Sequence, residues 1–135
     1  MDRLFLDANV LFTAAHNPDG KAAALFDALE LGRWELVASA FAAGEARRNI
    51  AAKYPQHSAR LETLLARLTE VPQPATTQST ISLPEKDRPI YLAARACGAT
   101  HLLTGDTRHF GPFMNRPRVT GGMFVQTVGE YLASR

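Results

Sequence analysis

Short apolar runs alternate along this chain with stretches of helical periodicity. The first run, Leu4-Phe5-Leu6, is unbroken, stops at Asp7 and is followed by Ala8-Asn9-Val10. Such a run is expected for a strand buried on both faces, as in a parallel sheet. Ala22, Leu25, Phe26 and Leu29 fall at i, i+3, i+4 and i+7, which predicts a helix capped by Asp19 and stopped by Gly32. Trp34 to Ala38 reads as a second short strand. Ser39 then caps a helix from Ala40 to Lys53, ended by Pro55, with Ala42, Ala43, Ala46 and Ile50 as its core stripe. Glu45 lies one turn beyond Phe41, beside that stripe.

Beyond Pro55, Leu61, Leu64, Leu65 and Leu68 repeat the helical spacing, and Thr69 to Val71 reads as a short strand. Pro72 to Leu83 is rich in Pro, Thr, Gln and Ser and is expected to be a surface loop. Ile90, Ala93, Ala94 and Cys97 mark a helix that begins near Asp87, because Pro89 is tolerated only in a first turn, and closes at Gly98. Thr100 to Thr104 reads as another buried strand, ending at Gly105-Asp106. Arg118 to Thr120 is the expected last strand, with Thr120 capping a final helix that carries Phe124, Val125, Val128, Tyr131 and Leu132. Helices alternating with buried strands predict an α/β fold around a mostly parallel sheet.

Composition narrows this picture. With 135 residues, 46% of them hydrophobic and 21% charged, the chain is expected to form one globular domain over residues 1–135. Cys97 is the only cysteine, so no disulfide can form within the chain. The apolar start is broken by Asp7 and Asn9, and no stretch is long enough to span a membrane, so a cytoplasmic location is expected.

Four carboxylates stand out by position. Singly, each has an ordinary explanation: Asp7 and Asp106 as turn residues, Asp87 as a helix cap, Glu45 as a solvated helix residue. Jointly they are harder to dismiss. Asp7 and Asp106 close buried strands, while Asp87 and Glu45 lie at or near helix starts. In a right-handed strand–helix–strand layout those ends share one edge of the sheet. Carboxylates gathered there repel one another unless a cation joins them, and carboxylate oxygens suit Mg2+ or Mn2+.

These segments resemble the PIN-domain ribonucleases, including VapC-type toxins of bacterial toxin–antitoxin pairs. The matching pieces are Leu4–Val10, Ser39–Arg48 around Glu45, Leu83–Ala94 around Asp87, and Leu102–Asp106 followed by His109-Phe110. Thr120–Val125 also resembles the family's entry to its last helix, whereas Pro72–Leu83 follows no family pattern. The resemblance implies a three-layer α/β/α fold with a parallel sheet in the order 3-2-1-4-5, and hydrolysis of RNA with Mg2+ or Mn2+. It implies Asp7, Asp87 and Asp106 as metal ligands, direct or through water, with Glu45 completing the catalytic set. Asn9, Thr104 and Arg108 are the expected substrate contacts or supports. A small antitoxin and a second copy of the chain are the partners it implies.

The net charge of +2 then gains meaning. Setting the four acids aside leaves nine against fifteen basic residues, a formal +6 suited to a polyanion. Arg47, Arg48, Arg88 and Arg108 neighbour the site acids in sequence and are candidates either for phosphate contacts or for surface solvation and local ion pairs. His109 is a candidate RNA contact, and Phe110 is expected to pack. Three other readings compete. A phosphoacceptor receiver domain would carry an acid pair after the first strand, where this chain has Asp7-Ala8-Asn9. A catalytically silent nucleic-acid-binding module would normally lack one of the acids. A metal-free, histidine-based ribonuclease would be insensitive to a chelator.

Overall fold

The computed structural model describes residues 1–135. Strands β1 (Asp2–Leu6), β2 (Trp34–Ser39), β3 (Thr69–Val71), β4 (His101–Leu103) and β5 (Phe124–Gln126) form one sheet. All neighbours are parallel, in the order β3-β2-β1-β4-β5. The six helices are α1 (Ala8–His16), α2 (Lys21–Asp27), α3 (Ala40–Lys53), α4 (Ser58–Leu65), α5 (Arg88–Ala96) and α6 (Val128–Ala133). This is the expected order and the expected α/β class.

β1 lies at the centre because its last three residues, Leu4-Phe5-Leu6, are apolar on both faces. Leu4, Phe5 and Leu6 are fully buried, and Phe5 pairs with Val37 on one side and Leu102 on the other. Strand order reverses direction between β1 and β4, so the residues just beyond these two strands lie side by side. Crevices at such switch points are where open α/β sheets bind ligands.

The α3 prediction holds at both ends: Ser39 Oγ accepts from Ala42 N at 3.2 Å, and Ala42, Ala43, Ala46 and Ile50 are buried. β3 spans the predicted residues. In the α4 stripe Leu61 and Leu64 are buried, while Leu65 and Leu68 are only partly covered. The Pro72–Leu83 segment has no regular structure, but Ile81 and Leu83 join the core and pin its end beside Asp87.

Three expectations need correction. First, α1 starts directly after Asp7, where no helix was expected. Asp7 is its N-cap, and Val10, Leu11, Ala14 and Ala15 form its buried side. Second, Gly20 rather than Asp19 occupies the N-cap position of α2 and makes no side-chain cap bond. A 3-10 turn over Leu29–Leu31 follows α2, and Gly32 (φ 68°) ends it as expected. Third, Arg118–Thr120 is not a strand and Thr120 caps no helix. Gly121 and Gly122, with φ of 64° and 92°, close a turn fastened by Gly122 N to Pro117 O at 2.7 Å. Thr120 is buried there, donating to Met123 O at 2.6 Å. Phe124 and Val125 belong to β5, paired with His101 and Leu102. The last helix begins at Thr127, which exchanges capping bonds with Glu130 at 3.1 and 2.9 Å.

Candidate metal centre

Asp7 sits at the end of β1 with 4% of its surface exposed. Its Oδ1 accepts from Ala8 N at 2.7 Å, the bond that starts α1. Its Oδ2 accepts from the Thr104 hydroxyl at 2.8 Å and from Asn9 Nδ2 at 3.2 Å. Thr104, the first residue beyond β4, is fully buried and takes a further bond from Asp106 N at 3.0 Å. Asn9 Oδ1 accepts from Gly105 N at 2.7 Å. A side chain at Gly105 would bring its Cβ to 3.3 Å from that amide oxygen, so the glycine permits the close approach. Asn9 and Thr104 therefore fasten the start of α1 to the turn after β4, fixing Asp7 relative to Asp106.

Asp106 is turned by its own local bond. Its Oδ1 accepts from His109 N at 3.0 Å, and its Oδ2 lies beside the His109 ring. Asp87 arrives from the start of α5, where it occupies the N-cap position without capping the helix. The carboxylate is thus not used up by the helix end. Asp87, Asp106 and His109 each present one ligand atom, all within 4.8 Å of one another. His109 Nδ1 lies 2.8 Å from Asp87 Oδ2 and 2.9 Å from Asp106 Oδ2.

The predicted acids are brought to one edge, but not equally. Asp7 and Glu45 lie outside the tight grouping of Asp87, Asp106 and His109. Glu45 is half-buried on α3 and lines a cavity of about 170 Å3 with Asn9, Phe12, Asn49 and Lys53. Its charge still reaches Asp7. A cleft of about 650 Å3 opens beside the acids, lined by Asn9, Thr104, Asp106, Lys21 and Thr127–Gly129 among others.

Burial pushes the Asp7 carboxyl up from 3.8 to about 6, against the bonds from Thr104 and Ala8, with the charges of Glu45 and Asp87 adding to the rise. Burial also raises Asp87, and the Asp106 charge adds to it, while His109 and Lys86 oppose the shift. These are crowded acids short of positive charge. The donors are hard oxygens, and Asp87 Oδ2 is buried without a hydrogen-bond partner. That set fits a Mg2+ or Mn2+ ion.

A pH effect follows. The folded Asp7 carboxyl titrates near 6 and an unfolded one near 3.8, so between those values the folded state holds more proton. In the metal-free protein this group should lower stability as pH rises from about 4 to about 6, by up to about 3 kcal/mol in all. Melts in EDTA at pH 4 and 7 should show the loss in wild type and not in Asp7→Asn. An identical pH response in both would contradict this.

The basic residues separate into two groups. Arg47 pairs with Glu62 of α4 through two bonds of 2.8 and 3.0 Å. Arg88 Nε reaches Leu83 O at 3.4 Å. Arg48 and Arg108 are exposed. Phe110 is fully buried, as expected for packing. The residue whose place the sequence reading missed is His109: the Asp106-x-x-His109 spacing was visible, but its return onto Asp87 was not.

A parallel sheet with carboxylates at its switch point defines an α/β protein whose candidate site lies at the strand ends. The family model described as the PIN domain matches residues 3–108. The chain belongs to the PIN domain family. Solved structures share the fold over nearly the whole chain. VapBC2 from Rickettsia felis, bound to a DNA fragment from the promoter, has a TM-score of 0.68 at 16% identity, covering 93% of this chain and 98% of that one. VapC20 of Mycobacterium tuberculosis, described as a sarcin-ricin loop cleaving toxin, has a TM-score of 0.60 at 8% identity, covering 82% and 95%. VapBC-1 from nontypeable Haemophilus influenzae has a TM-score of 0.59 at 16% identity, covering 94% and 98%. No curated protein gives a significant match.

Proposed function

We propose that this chain is a divalent-metal-dependent endoribonuclease and the toxin of a toxin–antitoxin pair. The observation that carries the reading is the convergence of Asp7, Asp87 and Asp106 at one edge, with Asp7 buried and Asp87 Oδ2 unsatisfied. Asp87 and Asp106 would hold Mg2+ or Mn2+ directly, and Asp7 directly or through water. Such an ion, when bound, activates water and offsets charge on the phosphodiester and the leaving oxygen.

The chain's own residues do the rest. Thr104 and Asn9 keep Asp7 in place and hold the β4 turn against it. Glu45, on the Asn9 side of the site, orients the attacking water. Exposed Arg108 lies next to the acids in sequence and takes a flanking phosphate of the RNA. The residues 1–135 act as one nuclease domain. The VapBC relatives support a small antitoxin as partner, and we extend the reading to a homodimer in the cytoplasm.

Purified protein should cleave RNA with Mg2+ or Mn2+ and stop in EDTA; undiminished cleavage in EDTA would reject the metal reading. Induced expression should arrest growth, and Asp106→Asn should relieve the arrest. Equal toxicity from the two would reject the toxin role.

A further inference from the structure

His109 lies three residues after Asp106, and the bond from its N–H to Asp106 Oδ1 folds its ring back over the carboxylates. The Nδ1 contacts of 2.8 and 2.9 Å fit two arrangements by length alone. One is an imidazolium bonded to two acids, and the other is a nitrogen and two oxygens facing a common ion. Direction separates them. Neither contact has hydrogen-bond alignment, so Nδ1 and Asp87 Oδ2 both stay buried with no partner. Asp87 is only 7% exposed, so bulk solvent has little access to it. Adjacent donors on an octahedral ion with bonds of about 2.1 Å stand about 3 Å apart, close to both contacts.

We propose that His109 is a metal ligand through Nδ1, forming with Asp87 and Asp106 a set of two oxygens and one nitrogen that favours Mn2+ over Mg2+. This rests on the metal reading of the acids given above. Mg2+ is hard and takes oxygen donors, whereas imidazole suits first-row transition ions, so the nitrogen tilts an otherwise all-carboxylate site. The histidine then sets which ion the centre accepts, while the acids set that it accepts one.

The test is pulsed electron paramagnetic resonance of the full chain loaded with Mn2+, with 14N- or 15N-labelled histidine, alongside calorimetric titrations with Mn2+ and Mg2+. Wild type should show coupling from a histidine nitrogen. His109→Gln should lose that coupling and bind Mn2+ at least about tenfold more weakly, the scale that even outer-shell partners command. Its Mg2+ affinity should barely move. His109→Asp, an all-oxygen set, should bind Mn2+ without the nitrogen signal. Tight Mn2+ binding with no nitrogen coupling in wild type, or coupling that survives in His109→Gln, would overturn the role of His109 and leave the metal centre standing. Absence of Mn2+ binding by wild type would overturn both. The labelled wild-type spectrum needs no variant, so misfolding of a mutant cannot blur the result.

Discussion

RNA cleavage should fall at least about 100-fold when Asp7 becomes Asn, beyond the range expected for losing an outer-shell partner. The substitution keeps the size of the side chain and one oxygen to accept from Ala8 N, so α1 retains its start. What it removes is the most deeply buried carboxylate charge of the four. It also places an amide near Thr104 and Asn9, both of which donate to Oδ2 in the native chain. Because burial opposes the native charge, the variant in EDTA at pH 7 should melt no lower than wild type. Loss of activity without loss of stability separates a functional acid from a structural cap. Wild-type cleavage by a folded Asp7→Asn protein would mean that Asp7 serves only as the cap of α1.

Phe110→Ala should lower the unfolding free energy by about 3–5 kcal/mol, the usual cost of emptying a large buried aromatic site. Phe110 is fully buried and belongs to the main core. Its backbone N–H bonds Asp106 O at 3.2 Å, and its carbonyl accepts from Phe113 N at 2.8 Å. The ring therefore anchors to the core the same turn that carries Asp106 and His109. Urea unfolding followed by Trp34 fluorescence reads the effect, since Trp34 is buried in the same core. A loss below about 1 kcal/mol would place Phe110 outside the structural role given to it.

The parts of the fold legible in the sequence are those whose pattern is local and uninterrupted. Leu4-Phe5-Leu6 reads as a doubly buried strand, and Ser39 with the Ala42–Ile50 stripe defines α3 at its first residue. α1 was hidden by its own chemistry. Asp7 and Asn9 interrupt the apolar spacing where the helix begins, and the helix follows the strand with a single residue between them. The C-terminal error has a different cause. Val125, Val128 and Leu132 have helical spacing, but β5 is a strand because β4 offers it a partner, a non-local pairing that no window of sequence contains. The Thr127-x-x-Glu130 capping box was there to be read and places the helix start correctly.

The site divides the same way. Asp7 and Asp106 were legible because each follows an apolar run, and Asp87 because Pro89 fixes the start of α5. His109 was not, since its position depends on a turn closed by Asp106 and on Asp87 arriving from another element. The partner of Arg47 was hidden for a related reason: Glu62, with which it makes the ion pair that was its other expected role, lies fifteen residues away on α4.

An anomalous difference map from crystals soaked in Mn2+ tests the central claim most directly. A peak is expected at the Asp87 and Asp106 carboxylates, with its loss in Asp106→Asn crystals. A map with no peak at these carboxylates, or one unchanged in the variant, would contradict it.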